Sequence, residues 1–174
     1  MRRLVTVLAL SFALFSADAL ALSTGNPKAP KRVSGVIEEI QILERIDAQQ
    51  IICVAMSVYH EARGLSDESQ FAIAHVVMNR ARLEGYPPMP CGVVWQSWAF
   101  SWTKMKTRSR VLPHELEAWE KAQRIAYNAY MDPDVYDPTY GATHFHITKY
   151  RPSWAKEGYD RVRIEVHTFM KVAN

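Results

Sequence analysis

Cysteine is scarce in this chain. Its 174 residues carry two, Cys53 and Cys91, which excludes a disulfide-dense scaffold and a cysteine-rich metal module. No Gly-x-Ser-x-Gly elbow marks a nucleophilic hydrolase, and no glycine-rich loop is set to cradle phosphate. A His-Glu-x-x-His zinc helix is also missing, because His60-Glu61 is followed by Ala62, Arg63 and Gly64. Lys/Arg clusters interleaved with aromatics are absent, so the formal net charge of +3 gives no reason to expect a nucleic-acid partner. The sequence shows no internal repeat and no low-complexity tract.

What is present begins with an address. Arg2 and Arg3 precede an apolar run from Leu4 to Phe15, and Ala19 and Ala21 form an Ala-x-Ala arrangement before Leu22. A positive start, a short apolar stretch and a small-residue cleavage site read as a secretory signal peptide over residues 1–21, with an uncleaved membrane anchor as the alternative. The run falls short of the ~20 apolar residues that a bilayer span needs, so no stable span is expected after cleavage. Export would place Cys53 and Cys91 where they can pair, contributing roughly 3–4 kcal/mol; two separate buried thiols are the alternative.

Residues 22–46 read as a Ser-, Pro- and Gly-containing linker followed by a short amphipathic helix with Val36, Ile37, Ile40 and Leu43 at helical spacing. A compact domain then spans 47–170, with Asp47 as helix cap. Its first helix is apolar over much of its surface from Ile51 to Ala62 and ends at Gly64. Ser66 caps a second helix, Phe71 to Met78 and beyond, closed by Gly85. Three prolines between Tyr86 and Cys91 require a turn, and an aromatic segment runs from Trp95 to Trp102. Pro113 opens a third helix with Leu116, Trp119, Ala122, Ala126 and Tyr130 on one face. Two β-like runs close the chain, around Ala142–Ile147 and where Val162, Ile164 and Val166 alternate with charged residues.

Glu61 is the first candidate for chemistry. At the end of a buried helix its charged form would be disfavoured, and a raised pKa suits a general acid. An ordinary pairing with Arg63 or His60 is the competing account. His144 and His146, two apart on a strand, face the same way; with His167 or Glu61 they could hold a catalytic zinc. Histidines lining a polar cleft are the simpler account. Trp95, Trp98, Phe100 and Trp102 offer flat rings for sugar faces or for core packing.

Several runs in fixed order carry a family likeness: YHEARG at 59–64, AIAHVVMNR at 72–80, CGVVWQ at 91–96, FSWT at 100–103 and GATHFH at 141–146, then Pro152-x-Trp154 and Val166-His167-x-Phe169. With these, the stretch from about Asp47 to Met170 resembles the SleB-type cell-wall hydrolases. The resemblance implies a mainly helical α+β fold, a lysozyme-like single domain with a small β element. It implies a lytic transglycosylase that cleaves the β-1,4 bond between N-acetylmuramic acid and N-acetylglucosamine, with Glu61 as catalytic acid/base. The partners expected are peptidoglycan glycan strands, with the protein a monomer in the periplasm or wall. No cofactor or metal is expected. Tyr59, Phe100, Ser101, Thr103, His144, His146 and His167 are the expected substrate-binding residues. The chain departs from many relatives at 165–170, which reads Glu-Val-His-Thr-Phe-Met, and at Leu65, where an acidic residue is usual. A zinc-dependent N-acetylmuramoyl-L-alanine amidase and a non-catalytic peptidoglycan-binding module are the alternative functions.

Overall fold

The computed structural model describes residues 31–104, 113–132 and 134–173, with side chains from Gln41 onward. The signal-peptide segment lies outside the described residues. The chain divides into two units, residues 1–40 and 41–174, and the packing below is that of the second.

Four α-helices are described. α1 runs Lys31–Ala62, α2 Asp67–Arg82, α3 Pro90–Trp95 and α4 Leu116–Met131. The sequence suggested a break before a cap at Asp47; instead α1 passes straight through it. No glycine or proline interrupts residues 36–63, and Asp47 serves elsewhere, its Oδ1 accepting the Tyr130 hydroxyl proton at 2.7 Å. The last three turns of α1 are buried through Cys53, Val54, Ala55, Val58, Tyr59 and Ala62, as an apolar all-round helix requires.

α2 starts where Ser66 predicts, with the Ser66 side chain accepting the Ser69 N–H at 3.2 Å. Asp67 and Glu68 occupy its first turn and Arg80 and Arg82 its last, each charge matched to the helix dipole. The Pro-rich turn leads at once into α3, with Pro90 in the first turn, where its missing N–H is no loss. A disulfide joins Cys53 of α1 to Cys91 of α3, with the Cα atoms 5.1 Å apart. α4 begins at Leu116 rather than Pro113, because the amides of His114 and Glu115 are taken by the Tyr59 hydroxyl. It buries Ala122, Ile125, Ala126 and Ala129 on one face.

The β element has three strands, one more than the sequence suggested. β1 is His144–Ile147, β2 Tyr159–Ile164 and β3 His167–Lys171, in antiparallel order β1-β3-β2. The missed strand is the central one. His167, Phe169 and Met170 are all buried, so β3 lacks the alternation that reveals a half-exposed strand. Val166, read as part of β2, sits with Glu165 in the hairpin turn, where Glu165 has φ +46°. The Glu165 carboxylate accepts the Ser66 N–H and the Ser69 hydroxyl at 3.2 and 2.5 Å, fastening the hairpin to the start of α2.

Candidate functional site

Glu61 occupies the last turn of α1. The helix ends because Gly64 takes φ +85°, a left-handed conformation that disfavours side chains. This turn leaves Glu61 lining an open cavity of about 320 Å³ together with Tyr59, His60, Arg63, Ser101, Trp102 and His114. Trp102, almost wholly buried, stacks on His60 with ring centroids 4.5 Å apart, and Trp95 meets it edge-on at 5.6 Å.

Arg63 does not neutralise Glu61. Its Nε donates to Glu115 at 2.9 Å, and among the described residues Glu61 has no hydrogen-bond or ion-pair partner. Burial alone therefore acts on the carboxyl, raising its pKa from 4.5 to about 7. Near neutral pH such a group can both give and take a proton. Among the described residues no second carboxylate lines the cavity.

The other expected cleft residues separate. Ser101 is exposed and lines the Glu61 cavity. Tyr59 is fully buried in the wall; its hydroxyl accepts two backbone N–H groups at 3.2 Å, so it anchors the approach to α4 rather than offering a sugar its ring. Phe100 turns into the core, packing on Phe145 with centroids 6.3 Å apart. Thr103 is half-buried and donates to the Phe100 carbonyl at 2.8 Å, closing the 3-10 turn Ser101–Lys104.

His144 and His146 do share a face of β1, both against Trp154, at 5.5 and 6.0 Å. Burial, and then the charge of Arg80, push the His144 pKa down to about 4. His146 Nδ1 donates to the Ile147 carbonyl at 2.9 Å. His167 is buried on β3 between Phe145 and Phe169, at 5.4 and 5.9 Å, and burial lowers its pKa. Among the described residues no three His, Cys, Asp or Glu side chains come close enough to hold a metal ion. Sequence reasoning passed over Arg80, which lines a second cavity with His144; an arginine inside an apolar helical run was the available sign.

The domain is mainly helical, with a small sheet and with Glu61 at a helix end in an open cavity. The sequence profile of the cell wall hydrolase family matches residues 64–170, and the chain belongs to that family. Two solved structures are similar. The catalytic domain of the SleB protein of Bacillus cereus aligns with a TM-score of 0.57 and 24% identity over 73% of this chain and 91% of that one. The catalytic domain of the germination-specific lytic transglycosylase SleB of Bacillus anthracis gives 0.57 and 25% over 70% and 93%. No curated protein sequence matches. The fold is thus of the lysozyme-like SleB type and the chain is a peptidoglycan hydrolase. The family match opens at Gly64, just beyond Glu61, so the role of Glu61 is argued from its geometry.

Proposed function

We propose that this enzyme is a lytic transglycosylase cutting the β-1,4 bond between N-acetylmuramic acid and N-acetylglucosamine, with Glu61 as sole acid/base. The observation that carries this is the Glu61 carboxyl, without an ion-pair partner among the described residues and with its pKa raised to about 7 by burial in an open cavity. Ordinary glycosidases pair two carboxylates, one for the leaving group and one for water or the anomeric carbon. A transglycosylase needs one, because the muramic C6 hydroxyl is the nucleophile. Protonated Glu61 gives its proton to the glycosidic oxygen as the C1–O bond breaks. The carboxylate then takes the proton of the C6 hydroxyl as that oxygen closes on C1, leaving 1,6-anhydromuramic acid and regenerating the acid.

Ser101, exposed in the lining of the same cavity, supplies a hydroxyl for hydrogen bonding to the sugar. The solved relative named as a lytic transglycosylase supports the same chemistry. A signal peptide over residues 1–21 delivers the enzyme across the membrane, to act as a monomer in the periplasm or wall. Among the described residues no helix is long and apolar enough to cross a membrane.

Mass spectrometry of fragments released from purified peptidoglycan, with and without a strong chelator, tests the reading. Glycan fragments ending in 1,6-anhydromuramic acid, indifferent to chelator, are expected. Reducing-end muramic acid would make the enzyme a muramidase. Free stem peptides lost on chelation would make it a zinc amidase, and binding without release would make it a wall-binding module.

A further inference from the structure

Arg80, on α2, is 7% exposed, and among the described residues no other arginine, lysine, aspartate or glutamate is buried so deeply. Its Nε donates to the Thr143 carbonyl at 2.6 Å. No carboxylate answers its charge: among the described residues it joins no ion pair, and its two terminal nitrogens have no hydrogen-bond partner. The rings of Tyr86 and Phe100, with centroids 5.8 and 5.7 Å from the guanidinium carbon, offset part of that charge. The terminal nitrogens of Arg80 are not sealed from solvent; they face open cavity space, where water or an anion completes their hydrogen bonding.

Arg80 opens on a cavity of about 390 Å³, separate from that of Glu61 and walled by Tyr86, Trp98, His144 and Trp154, with no Asp or Glu in its lining. His144, whose pKa is near 4, is neutral there and adds hydrogen-bonding capacity without a second charge. At the rim Trp98 holds φ +70°, a conformation unfavourable for a bulky residue, and is 83% exposed. The Lys104 ammonium lies against its indole. One segment divides the two cavities: Gln96 to Ala99 line this one, while Ser101 and Trp102 line the other.

We propose that this second cavity is a carboxylate subsite that takes the acidic residue of a peptidoglycan stem peptide. The guanidinium fork matches a planar carboxylate, and the aromatic walls suit the aliphatic part of the branch. The proposal rests on peptidoglycan being the substrate, and it holds whatever the role of Glu61.

Isothermal titration calorimetry of the wild-type protein would use three probes: N-acetylmuramoyl-L-Ala-D-Glu, the same molecule with its carboxylates amidated, and N-acetylmuramic acid alone. None contains the bond between two sugars, so binding is read apart from transglycosylation, and mass spectrometry after each titration shows whether the lactyl amide is intact. The acidic dipeptide is expected to bind at least about tenfold more tightly than the amide. Ser97→Glu, at an exposed wall position, supplies an internal carboxylate and should abolish that preference without disturbing the fold; Arg80→Gln should abolish it too. Equal binding of acid and amide, or a preference that survives Ser97→Glu, would overturn the proposal. N-acetylmuramic acid binding as tightly as the dipeptide would also overturn it, by assigning the site to the lactyl group.

Discussion

Replacing Glu61 with glutamine should make the protein more stable while destroying its activity. Glu61 is raised from 4.5 to about 7 by burial, so the native state holds its proton more tightly than the unfolded chain does. The sign follows from linkage: between these values the folded protein binds more protons, and stability is lost as pH rises through the window. The difference of about 2.5 in pKa, at about 1.36 kcal/mol for each, is roughly 3 kcal/mol above pH 8. Glutamine carries no charge to desolvate and keeps the shape. Urea denaturation of both proteins at pH 4.5 and pH 8.5 reads the effect. Near-equal midpoints are expected at the lower pH, with the variant ahead by about 3 kcal/mol at the higher one, equivalent to about 10 °C in Tm for a domain of this size. Activity on peptidoglycan should fall to background. A variant that loses stability at pH 8.5 would show that the carboxylate is paired and the burial argument wrong; a variant still active would remove Glu61 from the chemistry.

Free-thiol titration of the unreduced mature protein should find no thiols, since Cys53 and Cys91 close a loop with a sequence separation of 38. By the chain-entropy relation Cys91→Ser should then cost about 4 kcal/mol; two titratable thiols would refute the pairing. Acid should destabilise the protein through His75, His144 and His167, all pushed below the ordinary imidazole value chiefly by burial. Their neutral forms are favoured in the folded state, so stability falls as pH drops below about 6.5, continuing towards about 4 for His144. In the Glu61→Gln background the urea midpoint should be lower at pH 5 than at pH 7; an unchanged midpoint would mean the rings protonate in place. Gly158→Ala should destabilise by about 1–3 kcal/mol, because the new methyl would collide with the buried Met170 side chain, and a thermal melt indistinguishable from wild type would contradict that packing.

Local chemistry was legible where the residues themselves specify geometry. Ser66 and Gly64 marked a helix start and a helix end because capping and left-handed backbone depend on single residues. The position of Glu61 followed from those marks. Long-range partners were not legible. Asp47 looked like a cap and proved to be the acceptor for a tyrosine 83 positions away. Phe100 looked like a sugar platform and proved to be core, because whether a ring faces core or solvent depends on elements distant in sequence. His144, His146 and His167 share adjacent strands, but the sheet register sets His167 opposite Ile147 and turns it inward. The charge balance around Arg80 could be judged only from the placement of the carboxylates among the described residues.

The Glu165 clamp ties the beginning of α2 to a residue 96 and 99 positions later. The bonds it receives hold its carboxylate below the usual range, so the clamp persists in mild acid. The link closes a loop of nearly a hundred residues. The start of α2 has its own local cap in Ser66, and Glu165 adds a tether from the C-terminal hairpin. The ordering entropy of that long closure is spent before the contact contributes, which sets the α2–hairpin junction apart from the locally capped helix itself.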